Sequence, residues 1–133
     1  MPDISRALTL SEAREFFRHP SQQLYGITPD TLPREGFEYW AAGPVCIAFC
    51  RSMWPGVWSV HIGVKPEAWG RFVPFARRVL EGFAAVTDVR RYVAWLPASN
   101  RQAISAAKRC GAKEDGRMPL KDETIVMLGM SWV

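Results

Sequence analysis

Long apolar runs are missing from this sequence: no stretch approaches the roughly 18 consecutive apolar residues of a membrane-spanning helix. Histidine is scarce. His19 and His61 are the only two, which excludes a His-rich metal site, and no metal is expected. The three cysteines match neither zinc-ligand spacing nor an even disulfide framework. Cys46 and Cys50 fall on what reads as one strand face, about 13 Å apart at ~3.3 Å per residue, beyond disulfide reach. Together with Cys110 they read as buried thiols. The opening Met1-Pro2-Asp3-Ile4-Ser5-Arg6 lacks the basic stretch and apolar segment of a secretory signal, so the expected location is cytoplasmic. Repeats, low-complexity tracts and interdomain linkers are also absent.

What remains suits one hydrophobic core. The 133 residues are 48% hydrophobic and 12% aromatic, and predict a single domain over 1–133. Charged residues, at 23%, are too few for a disordered composition. The net charge of +4 and isoelectric point near 9.3 favour anionic partners: a nucleotide-like cofactor, nucleic acid or an acidic surface. A solvated basic surface with no partner fits the same charge.

Thr9-Leu10-Ser11-Glu12 is a capping box and predicts a helix over about 10–18. His19-Pro20 ends it, because a residue before proline avoids helical angles. Residues 20–35 read as a loop with one short helical turn. Phe37–Ala42 reads as a strand, and Val45–Cys50, apolar on both faces, as a central one. Val57–Val64 alternates Trp58, Val60, Ile62 and Val64 against Ser59, His61 and Gly63, the period of a strand with two different faces. The period then lengthens. Phe75, Ala76, Val79, Leu80 and Phe83 recur at helical spacing behind Pro74, predicting a helix over about 72–86. Arg91–Leu96 is a short strand. Ser99 or Asn100 caps a helix that runs to Cys110 and stops at Gly111. Lys113–Met118 and Thr124–Trp132 complete the strands. This order predicts an α/β fold with a mixed sheet, in which strands 57–64 and 91–96 are adjacent and parallel, joined by a right-handed helical crossover.

Two segments resemble the GNAT (N-acetyltransferase) superfamily. Val64-Lys65-Pro66-Glu67-Ala68-Trp69-Gly70-Arg71-Phe72-Val73-Pro74 is similar to its strand-then-phosphate-loop motif V-x-P-x-x-R-G-x-G-x-G. Free amides and the helix dipole bind phosphate at such a helix start. Asn100-Arg101-Gln102-Ala103 followed by Gly111 is similar to the N-x-x-A…G-F signature, with the usual spacing of eleven. The resemblance covers about residues 37–132. It implies a single GNAT-like domain with a twisted mixed sheet, a strand-helix-strand-helix unit, and two parallel strands that splay around the pantetheine of acetyl-coenzyme A as cosubstrate. Ile62, Val64, Trp69, Gly70, Arg71, Phe72, Val73 and Asn100 are the implied coenzyme-binding residues.

The departures are specific. Trp69 stands where the motif has Arg or Gln, and Phe72 and Pro74 replace its second and third glycines. A Cβ there obstructs close approach to a phosphate, and Pro74 has no amide to offer. Ala107 occupies the position of the common general-acid tyrosine, Ala112 that of the Phe after the terminal Gly, and strand 57–64 carries no carboxylate. His61 is therefore the candidate proton acceptor; the alternative is a hydrogen-bonded histidine packed among Trp58 and Trp95. Those two tryptophans read as core or sheet-face packing. Trp69, in a loop, can stack on an adenine, fill the space of a lost cofactor or meet a partner protein.

Two functions follow. One is an acyl-coenzyme A-dependent N-acetyltransferase, in which a small-molecule or protein amine attacks the thioester directly while strand amides polarise the carbonyl. The other is a catalytically inactive GNAT-like binding or assembly protein, resembling small phage-encoded, virion-associated members and paired with an assembly partner or as a homodimer. Neither expects a membrane, and no signature points to nucleic acid.

Overall fold

The computed structural model describes residues 5–20 and 28–132. Its elements in chain order are β1 (Arg6–Ala7), α1 (Leu10–Arg14), β2 (Phe37–Ala42), β3 (Val45–Arg51), β4 (Val57–Val64), α2 (Val73–Ala85), β5 (Arg91–Pro97), α3 (Arg101–Arg109), β6 (Lys113–Pro119) and β7 (Thr124–Ser131). The strands form one seven-stranded sheet in the order β1-β2-β3-β4-β5-β7-β6. The β4–β5 pair is parallel and the other described pairs are antiparallel. β4 and β5 are therefore adjacent and parallel with α2 between them in the chain, as the strand-helix-strand pattern predicts.

The capping box at Thr9 forms as read, with Thr9 Oγ1 accepting from the Glu12 amide and the Glu12 carboxylate accepting from the Thr9 amide. The α-helix is shorter than expected, because Glu15–Phe17 tighten into a 3-10 turn that drives Phe16 and Phe17 into the sheet. A second 3-10 turn covers Pro29–Thr31; the rest of the expected loop, residues 21–27, lies outside the described residues. The two-residue strand β1 is an addition to the sequence reading. It is too short to show a period, and pairs with Trp40 and Ala41 at the sheet edge.

The sheet separates two cores. On one face, Ala76, Val79, Leu80 and Phe83 of α2 pack on Val45, Ile47, Phe49, Trp58 and Tyr92. Phe49 and Phe83 stack with ring centroids 3.8 Å apart. α3 joins the same face through Ala106 and Cys110. On the other face, Ala13, Phe16, Phe17 and Leu32 cover Tyr39, Ala41, Cys46 and Ala48. Helical cover on this second face comes from α1 and its 3-10 turn, which lie against β2 and β4. Cys46 and Cys110 are buried as expected, whereas Cys50, near the end of β3, is half-buried.

Candidate active site

β4 and β5 pair over three steps, Val57↔Arg91, Trp58↔Tyr92 and Ser59↔Val93, and then separate. β4 stays bonded to β3 as far as Val64, and β5 to β7 as far as Pro97. Each strand therefore runs on past the split with one backbone edge unclaimed by its former neighbour. The alternation of the strand fixes which groups face the gap. The Val57 carbonyl accepts from Ser52 and the Lys65 amide donates to Pro44, both on the β3 side. Odd-numbered residues of β4 thus bond β3, and Val60, Ile62 and Val64 turn their backbone groups toward β5. The Val64 carbonyl already accepts the Trp69 indole N–H at 3.0 Å.

The split opens into a cleft of about 730 Å³. Val60, Ile62 and Val64 line one wall, Ala94 to Pro97 the other, and α3 closes the end. Of the sequence-predicted site residues, His61, Ile62, Val64, Trp69, Phe72 and Asn100 line it together. Gly70, Arg71 and Val73 belong to the loop and first turn beside it and do not.

Pro66–Ala68 coil into a 3-10 turn, and Phe72 is the N-cap of α2. The Arg71 amide is spent on the Ala68 carbonyl at 3.0 Å. Val73 and Phe75, in the first turn of α2, have amides without intrahelical acceptors, and Pro74 has none to offer. A Cβ added to Gly70 meets nothing within 4 Å, so the space above it is open. Phe72 is buried rather than raised into the loop, with the Arg109 guanidinium 5.0 Å from its ring centre. No acidic residue occupies the first turn of α2. Trp69 is held by its bond to Val64 and by an edge-on contact with His19 at 4.7 Å, and remains 42% exposed.

His61 and Trp58 face opposite sides of the sheet. Trp58 points to the α2 face, where its indole N–H donates to Asp88 at 3.1 Å. His61 points to the opposite face and stacks on Phe17 with centroids 5.8 Å apart. Trp95 shares that face but is not core: it is 42% exposed. The alternation of the strand already separates His61 from Trp58; what it does not show is whether the second face is covered.

At the closed end, the Asn100 side chain accepts from the Ala103 amide and caps α3. Tyr92 lines the cleft, but its hydroxyl donates to the Leu80 carbonyl at 2.7 Å, and burial pushes the phenol's pKa upward. It is not a ready acid. Burial also raises the Cys110 thiol, against a lowering influence of Arg77 and Arg109. Ala107 lines the cleft as a methyl group and offers no proton. No group of three or more potential metal ligands occurs among the described residues.

No family profile matches the chain, and no curated protein matches it. Solved structures do. Over 96% of this chain and 94% of the other, it is similar to a mutant of spermidine N-acetyltransferase from Vibrio cholerae, with TM-score 0.72 and 13% identity. It is similar to AAC(6')-Ib in complex with ribostamycin and coenzyme A, with TM-score 0.71, 15% identity, and coverage of 98% and 94%. It also resembles smu.2055 from Streptococcus mutans, with TM-score 0.69, 14% identity, and coverage of 96% and 98%. The fold is thus the single α/β domain of the N-acetyltransferases, with a mixed seven-stranded sheet.

Proposed function

We propose that this protein is an acyl-coenzyme A-dependent N-acetyltransferase that works by direct attack of an amine on the thioester. The observation that carries this reading is the split between β4 and β5, which leaves the backbone of Val60, Ile62 and Val64 facing a cleft of about 730 Å³. Neighbours of the same fold are acetyltransferases, and one was solved with coenzyme A. An amide-bearing pantetheine arm fits a gap with an open strand edge on each side, because it can take the place of the missing strand. The open space over Gly70, the helix start behind it and the absence of acid from that first turn suit a pyrophosphate.

The coenzyme supplies the activated acyl carbon and a thiolate leaving group. Ile62 and Val64 hold the pantetheine, and an N–H from the cleft-facing edge of β4 stabilises the charge developing on the thioester oxygen. Asn100 closes the end of the cleft, with Trp69, Arg71, Phe72 and Val73 around the phosphates. His61 accepts the proton released from the attacking amine, directly or through water, and passes it to solvent. The carbon–sulfur bond breaks as the carbon–nitrogen bond forms, and the thiolate takes its proton from solvent.

The inactive assembly reading, with its phage or virion association, assembly partner or homodimer, draws no support from these neighbours. No described helix is long and apolar enough to cross a membrane. Release of free thiol from acetyl-coenzyme A across a panel of primary amines tests the proposal. Amine-dependent release is the expected result; release no faster than solvent hydrolysis with every amine rejects it.

A further inference from the structure

Resting on the acetyltransferase reading, we propose that Arg109 of α3 binds the coenzyme's diphosphate, in place of amides that the loop before α2 keeps for itself. The loop's own bonds carry the first half of the argument. Ala68 donates to the Lys65 carbonyl at 2.9 Å, Trp69 to Pro66 at 3.3 Å and Arg71 to Ala68 at 3.0 Å. Pro66 and Pro74 have no N–H to offer. Phe72 stands in a right-handed conformation, φ −83° and ψ −19°, which any L-residue adopts. Its side chain is buried, 4% exposed, so this position packs the core instead of leaving room for an anion. A diphosphate beside this loop needs donors from another element.

α3 supplies one. Arg109 lies in the last turn of α3, exposed to solvent, and lines the cleft. Its guanidinium stands over the Phe72 ring, 5.0 Å from the centre, and Phe72 is the N-cap of α2. Arg77 of α2 donates to the Cys110 carbonyl at 2.6 Å and fixes the end of α3 against the first turns of α2. The cation is thereby held on the phosphate-loop side of the cleft. A guanidinium over an aromatic face spends none of its N–H donors on the ring, and its fork matches two phosphate oxygens.

The surrounding charges leave Arg109 available. Among the described residues that line the cleft, the arginines are Arg101 and Arg109, and none is Asp, Glu or Lys. Arg101 begins α3, eight residues and about 12 Å along the helix from Arg109. The acids of the adjoining elements are Glu67 in the 3-10 turn and Glu81 on α2, and neither lines the cleft. Glu114 and Asp115 of β6 are held by Arg117 and Arg91. No ion pair among the described residues includes Arg109.

The test is calorimetric titration with three donors. Acetyl-coenzyme A carries the diphosphate and the 3′-phosphate, acetyl-dephospho-coenzyme A only the diphosphate, and acetylpantetheine neither; the last is measured by competition. We expect Arg109→Gln to weaken acetyl-coenzyme A and its dephospho form by the same factor, about tenfold, and to leave acetylpantetheine unchanged. Arg109→Lys, which keeps the charge but not the fork, should recover part of the loss. Arg90→Gln, which removes one positive charge outside the cleft, should bind all three as the parent does. Melting temperatures should match the parent's, because both arginines are exposed. Parent-like affinity for acetyl-coenzyme A in Arg109→Gln overturns the assignment. So does a loss shared by acetylpantetheine, or one confined to the donor that carries the 3′-phosphate. Each of these leaves the acetyltransferase reading standing. Failure of the parent to bind any of the three overturns both.

Discussion

His61 and Tyr39 show how two titratable side chains on one sheet face take different duties. His61 stacks on Phe17 at the rim of the cleft, where a proton can be exchanged. Replacing it with Gln keeps the size and a hydrogen-bonding end but removes titration. A general base is worth typically about 10²–10⁴-fold in rate, so His61→Gln should lower kcat at least ~10-fold. It should leave coenzyme affinity intact. A variant that keeps the parent's rate but melts earlier would make the histidine structural. Tyr39 lies under Leu32 and Phe17, and donates to the Pro33 carbonyl at 2.5 Å. Burial, with the Cys46 and Cys50 thiols nearby, pushes its phenol from 10.0 up to about 12. The folded state thus favours the neutral form. The stability it contributes is complete below pH 10 and is lost as pH rises from 10 to about 12. Thermal melts of Tyr39→Phe should show a shallower alkaline decline than the parent. At pH 7 the lost hydrogen bond should cost on the order of 1 kcal/mol.

At the scale of elements, the strand that matters most is β4, and a glycine within it and one in the loop beyond it test its surroundings separately. Gly63 sits under the 3-10 turn: a Cβ there would lie 2.8 Å from the Phe16 carbonyl oxygen and 2.9 Å from the Phe17 ring. Gly63→Ala should therefore push the turn off the sheet and destabilise the fold by about 1–3 kcal/mol in denaturant titrations. Gly70 is the contrast. A Cβ there meets nothing within 4 Å, so Gly70→Asp should leave the melting temperature nearly unchanged while placing a carboxylate at the proposed pyrophosphate site. Coenzyme affinity should then fall at least ~10-fold by like-charge repulsion. Unchanged affinity would move the phosphate elsewhere. Elements of this kind were legible in the sequence wherever a period ran long enough. The alternation of Trp58 to Val64, the helical spacing of Phe75 to Phe83, the Thr9 capping box and the Asn100 cap all appear as read. What stayed hidden depends on the partner rather than the chain. Period-two alternation says that Trp95 and His61 face away from Trp58 and Tyr92. It does not say that α1 and its 3-10 turn cover β2 and β4 on that side, or how far Trp95 is exposed. Nor does sequence show that Phe72, in place of a glycine, turns inward beneath Arg109 rather than up into the phosphate loop.

For the whole molecule, the sheet divides the labour. One face, where Phe49, Trp58 and Tyr92 pack against Phe83 of α2, holds the fold together. Phe83 is fully buried and touches the rings of Trp40, Phe49 and Trp58, so Phe83→Ala should cost about 3–5 kcal/mol. The other face is covered over β2 to β4 by α1 and its 3-10 turn, and beside the split Trp95 is 42% exposed. Between the faces, three paired steps of parallel sheet followed by a divergence create the cleft. A molecule built this way has a strong core and a gap whose backbone groups lack a strand to bond; the account holds that acetyl-coenzyme A fills it. Isothermal titration of the purified protein with acetyl-coenzyme A addresses that claim directly. One-site binding at sub-millimolar concentration, with a negative heat-capacity change from apolar burial, is the predicted result. No heat and no thermal shift at millimolar coenzyme would contradict it.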